Sequence, residues 1–197
     1  MLEAELGNIR GAAVDEFLAW YARDRDAKRL ASAVHALPRE LSERVRWDAG
    51  APRLIPFAWY PCELVHGIFD GLLAGLDDAA RQQLSRDTAD HVMNATLHGV
   101  YKAMFKVVVT PALLAKISPR LWRLYYDTGD STIEIEADNA HRATLSGWKG
   151  HHPFLCQVNR FSGEWIYRQL KCQRVRSEQL ACAGRGDASC VIVTSWS

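Results

Sequence analysis

The residues of this chain best able to hold a metal are three cysteines and a glutamate near its C-terminal end. Cys182 and Cys190 flank the sequence Gly184-Arg185-Gly186-Asp187, whose residue types favour a tight turn. The spacing sets the two thiols opposite or nearly opposite on adjacent antiparallel strands, where facing Cβ atoms lie about 4.5–5.5 Å apart. Glu178 shares strand parity with Cys182, and Cys156 opens a helix that returns to the same sheet. Cys156, Glu178, Cys182 and Cys190 thus make a conceivable tetrahedral set. Zinc held by four protein ligands keeps no open position for a substrate water, so such a metal would be structural. Cys172 competes for a place in the set, and the same sulfurs read equally well as small buried core residues.

The remaining reactive side chains carry less. His151 and His152 sit in a loop near Cys156 and could supply a ligand or simply face solvent. His91 and His98 are seven residues apart on one helix, about 10 Å along its axis, too far to share one ion. Ser146 and Lys149 spell S-x-x-K in a strand rather than on a helical turn, and Arg185-Gly186-Asp187 reads as turn chemistry. Glu134 and Glu136 point to one side of a strand and read as a solvated sheet face. The chain has no phosphate loop, dinucleotide fingerprint, G-x-S-x-G or H-E-x-x-H. The expectation is a protein that is not an enzyme.

The elements that must position these residues divide at Gly129. Before it the apolar period is helical: Val14, Phe17, Leu18 and Tyr21 share one face, and Val65, Ile68, Phe69, Leu72 and Leu76 form a wide stripe after Pro61. Further helices are predicted from Asp26 to Leu37, from Asp77 to Ser85 and from Asp87 to Phe105. Thr110-Pro111 and Ser118-Pro119 each predict a short helix start, giving helices over 111–117 and 119–126. Residues 47–60, with a glycine and two prolines, read as an ordered loop. After Gly129 the period becomes two: residues 132–136 and 141–148 predict a hairpin across Asp138-Asn139, Pro153 opens a helix, and residues 173–183 and 189–196 predict two final strands. The predicted class is α+β, with a helical N-terminal half (1–128) packed on an antiparallel sheet of ββαββ order (129–197), all within a single domain 1–197.

At 197 residues and 48% hydrophobic content the chain can bury a full core without staples. A net charge of +1 without blocks of like charge offers nothing to nucleic acid or an anionic membrane. The apolar run 107–115, broken by Thr110 and Pro111, is too short to span a bilayer. The acidic start at Glu3 and Glu5 is unlike a signal peptide, so the expectation is a cytoplasmic protein whose five cysteines are thiols or metal ligands.

Four segments carry a family resemblance: Gly11 to Leu37, Trp59-Tyr60-Pro61, Ser118-Pro119-Arg120-Leu121-Trp122, and the ending from Cys182 through Cys190 to Trp196. Together they resemble an uncharacterised paralogous family abundant in myxobacteria, which is similar in turn to the 4-vinyl-reductase-like sensor domains. The resemblance implies the fold of the haem nitric-oxide-binding domains and of vesicle-tethering subunits. In the aromatic-sensing relatives a zinc is held by three cysteines and a glutamate, and Cys156, Cys182 and Cys190 match the cysteine pattern. No segment matches the haem family's Tyr-x-Ser-x-Arg, so no haem is expected.

These readings converge on a non-catalytic sensory or regulatory domain with an apolar pocket between its helices and its sheet. Phe105, Trp122, Tyr125, Trp148 and Phe161 are the candidate pocket residues, binding a small hydrophobic ligand. The alternative is an assembly protein that forms a homodimer through a helix face, as the tethering subunits do.

Overall fold

The fold was analysed in a computed structural model, which describes residues 6–98 and 110–197. Phe105 and the end of the helix predicted to reach it lie outside the described residues.

The N-terminal part is built from β1 (Asn8–Arg10), α1 (Gly11–Tyr21), α2 (Ala27–His35), α3 (Arg39–Ser42), β2 (Arg46–Asp48), β3 (Ala51–Arg53), β4 (Trp59–Pro61), α4 (Cys62–Leu73) and α5 (Asp78–His98). Then follow α6 (Pro111–Trp122), β5 (Asp130–Ala137), β6 (Ala140–Ser146), α7 (Pro153–Gln169), β7 (Arg176–Ala181) and β8 (Cys190–Ser195). The last four strands form one antiparallel sheet in the order β5-β6-β8-β7.

Local chemistry accounts for the helix starts. Asp26 caps α2 by accepting from the Arg29 amide at 2.9 Å, and Asp77 does the same for the Ala80 amide near the start of α5 at 2.7 Å. The stripe on α4 is buried through Leu64, Val65, Ile68, Phe69 and Leu72, and α4 packs on α2 while α1 packs on α5. Asp15 on α1 is the one carboxylate buried in this half among the described residues. It accepts two hydrogen bonds from Arg53, at 2.8 and 2.6 Å, and one from the Leu54 amide.

Three expectations need correction. Residues 47–60 are not a loop throughout: β2 and β3 pair around Ala49-Gly50, both at positive φ, the geometry of a two-residue hairpin turn, and β4 pairs with β1. Residues 111–122 form one helix running through Pro119. The ring removes the donor that Ala115 would receive, and the Ser118 hydroxyl donates to the Ala115 carbonyl instead at 3.2 Å. Residues 78–98 are likewise a single helix, because Ser85 donates to the Arg81 carbonyl of its own helix and Asp87 is engaged by Arg25 and Gln83, so neither side chain caps a new start.

Helix α7 is fixed over the sheet by a buried carboxylate. Glu164, 4% exposed, accepts from the Ser177 hydroxyl at 2.6 Å and its amide at 3.3 Å, from Arg168 at 2.8 Å and from Arg86 of α5 at 3.1 Å. One side chain thereby joins α5, α7 and β7. Removing it would leave two arginines and Ser177 without their acceptor, so Glu164→Ala is expected to lower the unfolding free energy by about 3 kcal/mol, read from urea denaturation. Loss of less than about 0.5 kcal/mol would show that α7 is held by packing alone.

Candidate ligand cavity and cysteine–histidine cluster

Two features share the inner face of the sheet. Its rows are set by register: Ser131, Leu145 and Cys190 lie side by side, as do Ile133, Ala143 and Ile192, and His141 neighbours Thr194. Above these rows lies a cavity of about 250 Å³. Helix α7 faces it with residues three and four apart, among them Leu155, Asn159, Ser162, Gly163 and Ile166, the spacing of one helix face. Thr88 and Val92 of α5, Leu114 and Trp122 of α6, and Phe17 of α1 also line it.

The wall is mostly apolar, but it carries buried polar atoms without partners among the described residues: Thr88 Oγ1, Asn159 Nδ2 and Arg160 Nε. Tyr126 also lines the cavity and donates to Asn159 Oδ1 at 3.3 Å. Burial raises the Tyr126 phenol above its ordinary range, which keeps it a donor. His141 shares a 2.7 Å hydrogen bond between Nδ1 and the Tyr167 hydroxyl, and burial lowers its pKa.

Gly163 is central to the cavity's shape. A Cβ built there would meet nothing within 4 Å, although glycine inside a helix costs about 1 kcal/mol relative to alanine. The bare backbone leaves room on the cavity side of α7.

The second feature lies where the loop after β6, the start of α7 and the start of β8 converge. Cys156 and Cys190 place their sulfurs 3.4 Å apart, and His151 Nδ1 stands 3.6 Å from the first and 3.5 Å from the second. These three ligand atoms all lie within 4.8 Å of one another, and Cys182 is buried at the foot of the same turn. Ligand atoms on a tetrahedral zinc with bonds of about 2.0–2.3 Å stand about 3.5–3.8 Å apart, close to the spacing found. Hydrogen bonding to Cys156, helped by His151 and the Ala183 amide, draws Cys190 well below the ordinary thiol range; the same sulfur contact, with burial, raises Cys156. Gly184 permits this convergence, since a Cβ there would lie 2.8 Å from the Pro153 nitrogen.

Of the predicted metal ligands, the structure brings Cys156 and Cys190 together, keeps Cys182 buried outside that close set, and leaves Glu178 out. A β-bulge between Gln179 and Ala181 reverses the parity, so Glu178 pairs with Val193 on the outer face, exposed, while Cys182 turns inward. His151 occupies the space instead. Cys172 follows the far end of α7 and packs near Leu114, Tyr167 and Val175, roughly 20 Å along the helix from Cys156.

Of the predicted pocket residues, Trp122 and Tyr125 line the cavity. Trp148 packs edge-on behind Trp122 and Tyr126, at 5.1 and 4.7 Å. Phe161 is buried between the guanidinium groups of Arg86 and Arg160, at 4.1 and 4.5 Å. The polar lining residues escape a search for aromatics; the signal for them is Asn159 one helical turn before Gly163 on an otherwise apolar face.

No protein-family model and no curated protein matches the chain. Solved structures do share its fold. The Fe(II) unliganded H-NOX protein from K. algicida superposes with a TM-score of 0.70 at 12% identity, over 95% of this chain and 96% of that one. The H-NOX protein from S. oneidensis in the Fe(II)NO state gives 0.67 at 10% identity, over 95% and 99%. An H-NOX structure solved to probe haem distortion gives 0.62 at 9%, over 95% and 94%. The chain therefore has the H-NOX fold, a mixed helix-and-sheet architecture. No helix among the described residues is long and apolar enough to cross a membrane.

These neighbours overturn the expectation that no haem belongs here. That expectation rested on one missing motif, whereas the structures sharing the whole fold are H-NOX proteins described in Fe(II) states and in work on haem distortion. The donor types a haem uses are present in the cavity wall: a histidine, His141, whose ring is oriented by Tyr167, and an arginine, Arg160, able to meet a propionate.

His141 also sets a pH dependence. Its folded pKa is lowered, so as pH falls below the ordinary value of 6.5 the unfolded chain takes up a proton that the folded chain resists, and stability falls with it. Melting temperature is expected to drop between pH 7 and pH 5, and to drop less in His141→Asn. Identical slopes in the two proteins would remove His141 as the cause.

Proposed function

We propose that this chain is a non-catalytic sensory domain that acts in the cytoplasm and binds a small, largely apolar ligand between its helices and its C-terminal sheet, with a structural zinc beside the site. The observation that carries the reading is the apolar cavity of about 250 Å³, larger than the roughly 150 Å³ void that accepts benzene in an engineered protein. The H-NOX fold of the solved neighbours supports it, and 4-vinyl-reductase-like sensors are the functional kin we favour. Haem is one occupant compatible with the donor types present: His141 would hold its iron and Arg160 a propionate, and the group would supply a metal position for a further small ligand.

The test is ligand uptake. Native mass spectrometry and thermal shift against a library of small hydrophobic compounds should yield binders, and Gly163→Leu, which fills the free space on α7, should weaken them at least tenfold. A library without a single hit would defeat the reading, as would undiminished binding by the filled variant.

For the metal we propose Cys156, Cys182 and Cys190 with His151 as the fourth ligand. Four protein ligands give zinc a closed, structural coordination. Elemental analysis of purified protein should find about one zinc per chain, lost in Cys182→Ser and retained in Glu178→Ala. Absence of metal in the parent protein, or its loss in Glu178→Ala, would contradict the assignment.

A second reading, homodimeric assembly, has one observation in its favour. Ile55, Phe57 and Trp59 are exposed apolar residues close in sequence, at 45%, 67% and 36%, and such patches commonly mark partner contacts. Light scattering that finds a strict monomer would dismiss it.

A further inference from the structure

We propose that the ligand of the cavity is a hydrophobic carboxylic acid, its carboxylate held by Arg160 and Asn159 and its apolar body lying over Gly163 against the sheet. The inference rests on the reading of the cavity as a ligand site and names the chemical class that enters it.

Arg160 holds a buried donor that nothing bonds among the described residues. It lines the cavity, its Nε is sealed from solvent, and that N–H has no acceptor among the described residues. The nearby carboxylate on its own helix, Glu164, is fully engaged by Arg86, Arg168 and Ser177, and no ion pair to Arg160 occurs among the described residues. A guanidinium is always charged and carries donors only. With Glu164, the carboxylate one turn on, taken up by other partners, the buried Nε donor at the cavity is left to seek another acceptor, and the planar fork fits a carboxylate.

Its neighbour Asn159 presents a donor as well. Asn159 uses its carbonyl oxygen to accept from Tyr126, so the amide presents its Nδ2 donor, which is buried and unpaired. Donors without acceptors thus come from adjacent residues of α7, and the Thr88 hydroxyl lines the same cavity from α5 without a partner. Such a set rejects an amine and leaves a neutral alcohol only partly bonded. It matches a group with two acceptor oxygens and a negative charge. Leaving buried donors unpaired is costly, and a carboxylate would satisfy them.

The cavity also has room for an apolar body. Gly163 lies one helical turn beyond Asn159, and a side chain added there would meet nothing. The apolar rows of the sheet through Ile133, Ala143 and Ile192 lie opposite. A single ring with a short chain, or a medium-length alkyl chain, suits about 250 Å³. A porphyrin propionate presents the same acid chemistry, and the experiment distinguishes that source.

The experiment is a calorimetric titration of the full chain at pH 7.5 with octanoate and 3-phenylpropionate, beside 1-octanol and 3-phenylpropan-1-ol. A separate arm follows haemin by visible absorption. At least one acid should bind tighter than its alcohol by on the order of tenfold to a hundredfold. Arg160→Gln should erase that preference, and Arg160→Lys, which keeps the charge, should retain part of it and guards against a folding defect. Haemin binding with no binding of the small acids would overturn the proposal, since a porphyrin is far larger than the single ring or alkyl chain that suits the cavity. Alcohols that bind as well as acids, or a preference that survives Arg160→Gln, would overturn it while leaving the cavity reading intact. Failure of every probe, haemin included, would overturn both.

Discussion

The position of helix α7 over the sheet is the constraint on which the C-terminal half depends. At one end its first turn carries Cys156 into contact with Cys190 and His151. Farther along, Glu164 binds it to β7 and to α5. Between these anchors α7 presents Gly163, the one position on its cavity face without a side chain, and there the helix stands clear of the sheet. A void of this size would normally be closed by repacking, since protein interiors are as dense as organic crystals. Here two polar anchors hold the helix while the apolar contacts between them are incomplete, which is the mechanical requirement of a preformed ligand site.

The cavity and the cysteine–histidine cluster are physically continuous. Trp122, in the cavity wall, stacks on Tyr126 at 4.1 Å. Trp148 meets both edge-on and touches His151 at 4.8 Å on its other side. In the sheet, Cys190 ends a row that runs through Leu145 to Ser131 of the cavity floor. A metal that fixed His151 and Cys190 would therefore fix one wall of the cavity through Trp148. Under the proposal of a zinc in the cluster, its structural role and the preorganisation of the cavity would be one property.

Much of this was legible in the sequence, for identifiable reasons. The change of apolar period after Gly129 marks where strands begin, and the turn residues 184–187 place Cys182 beside Cys190. What stayed hidden depends on contacts that one-dimensional patterns do not encode. The bulge near Leu180 reverses strand parity and sends Glu178 outward; nothing in the residue types announces it. Pro119 reads as a helix start because the hydroxyl of Ser118 that compensates for it acts through the folded helix. The polar lining at Thr88, Asn159 and Arg160 was invisible to a search that weighs apolar and aromatic positions, yet it defines the chemistry of the site. One absent motif likewise could not decide the question of haem, because the fold shared with the H-NOX structures is not encoded in any single short motif.

The central claim is that space exists between α7 and the sheet and accepts an apolar guest. Xenon-pressurised crystals test it directly, since xenon enters dry apolar cavities and reports their position. The account predicts a strong xenon peak bounded by Ile133, Ala143, Val158 and Gly163. A crystal in which that space is filled by the protein's own side chains, with no xenon among those residues, would contradict it.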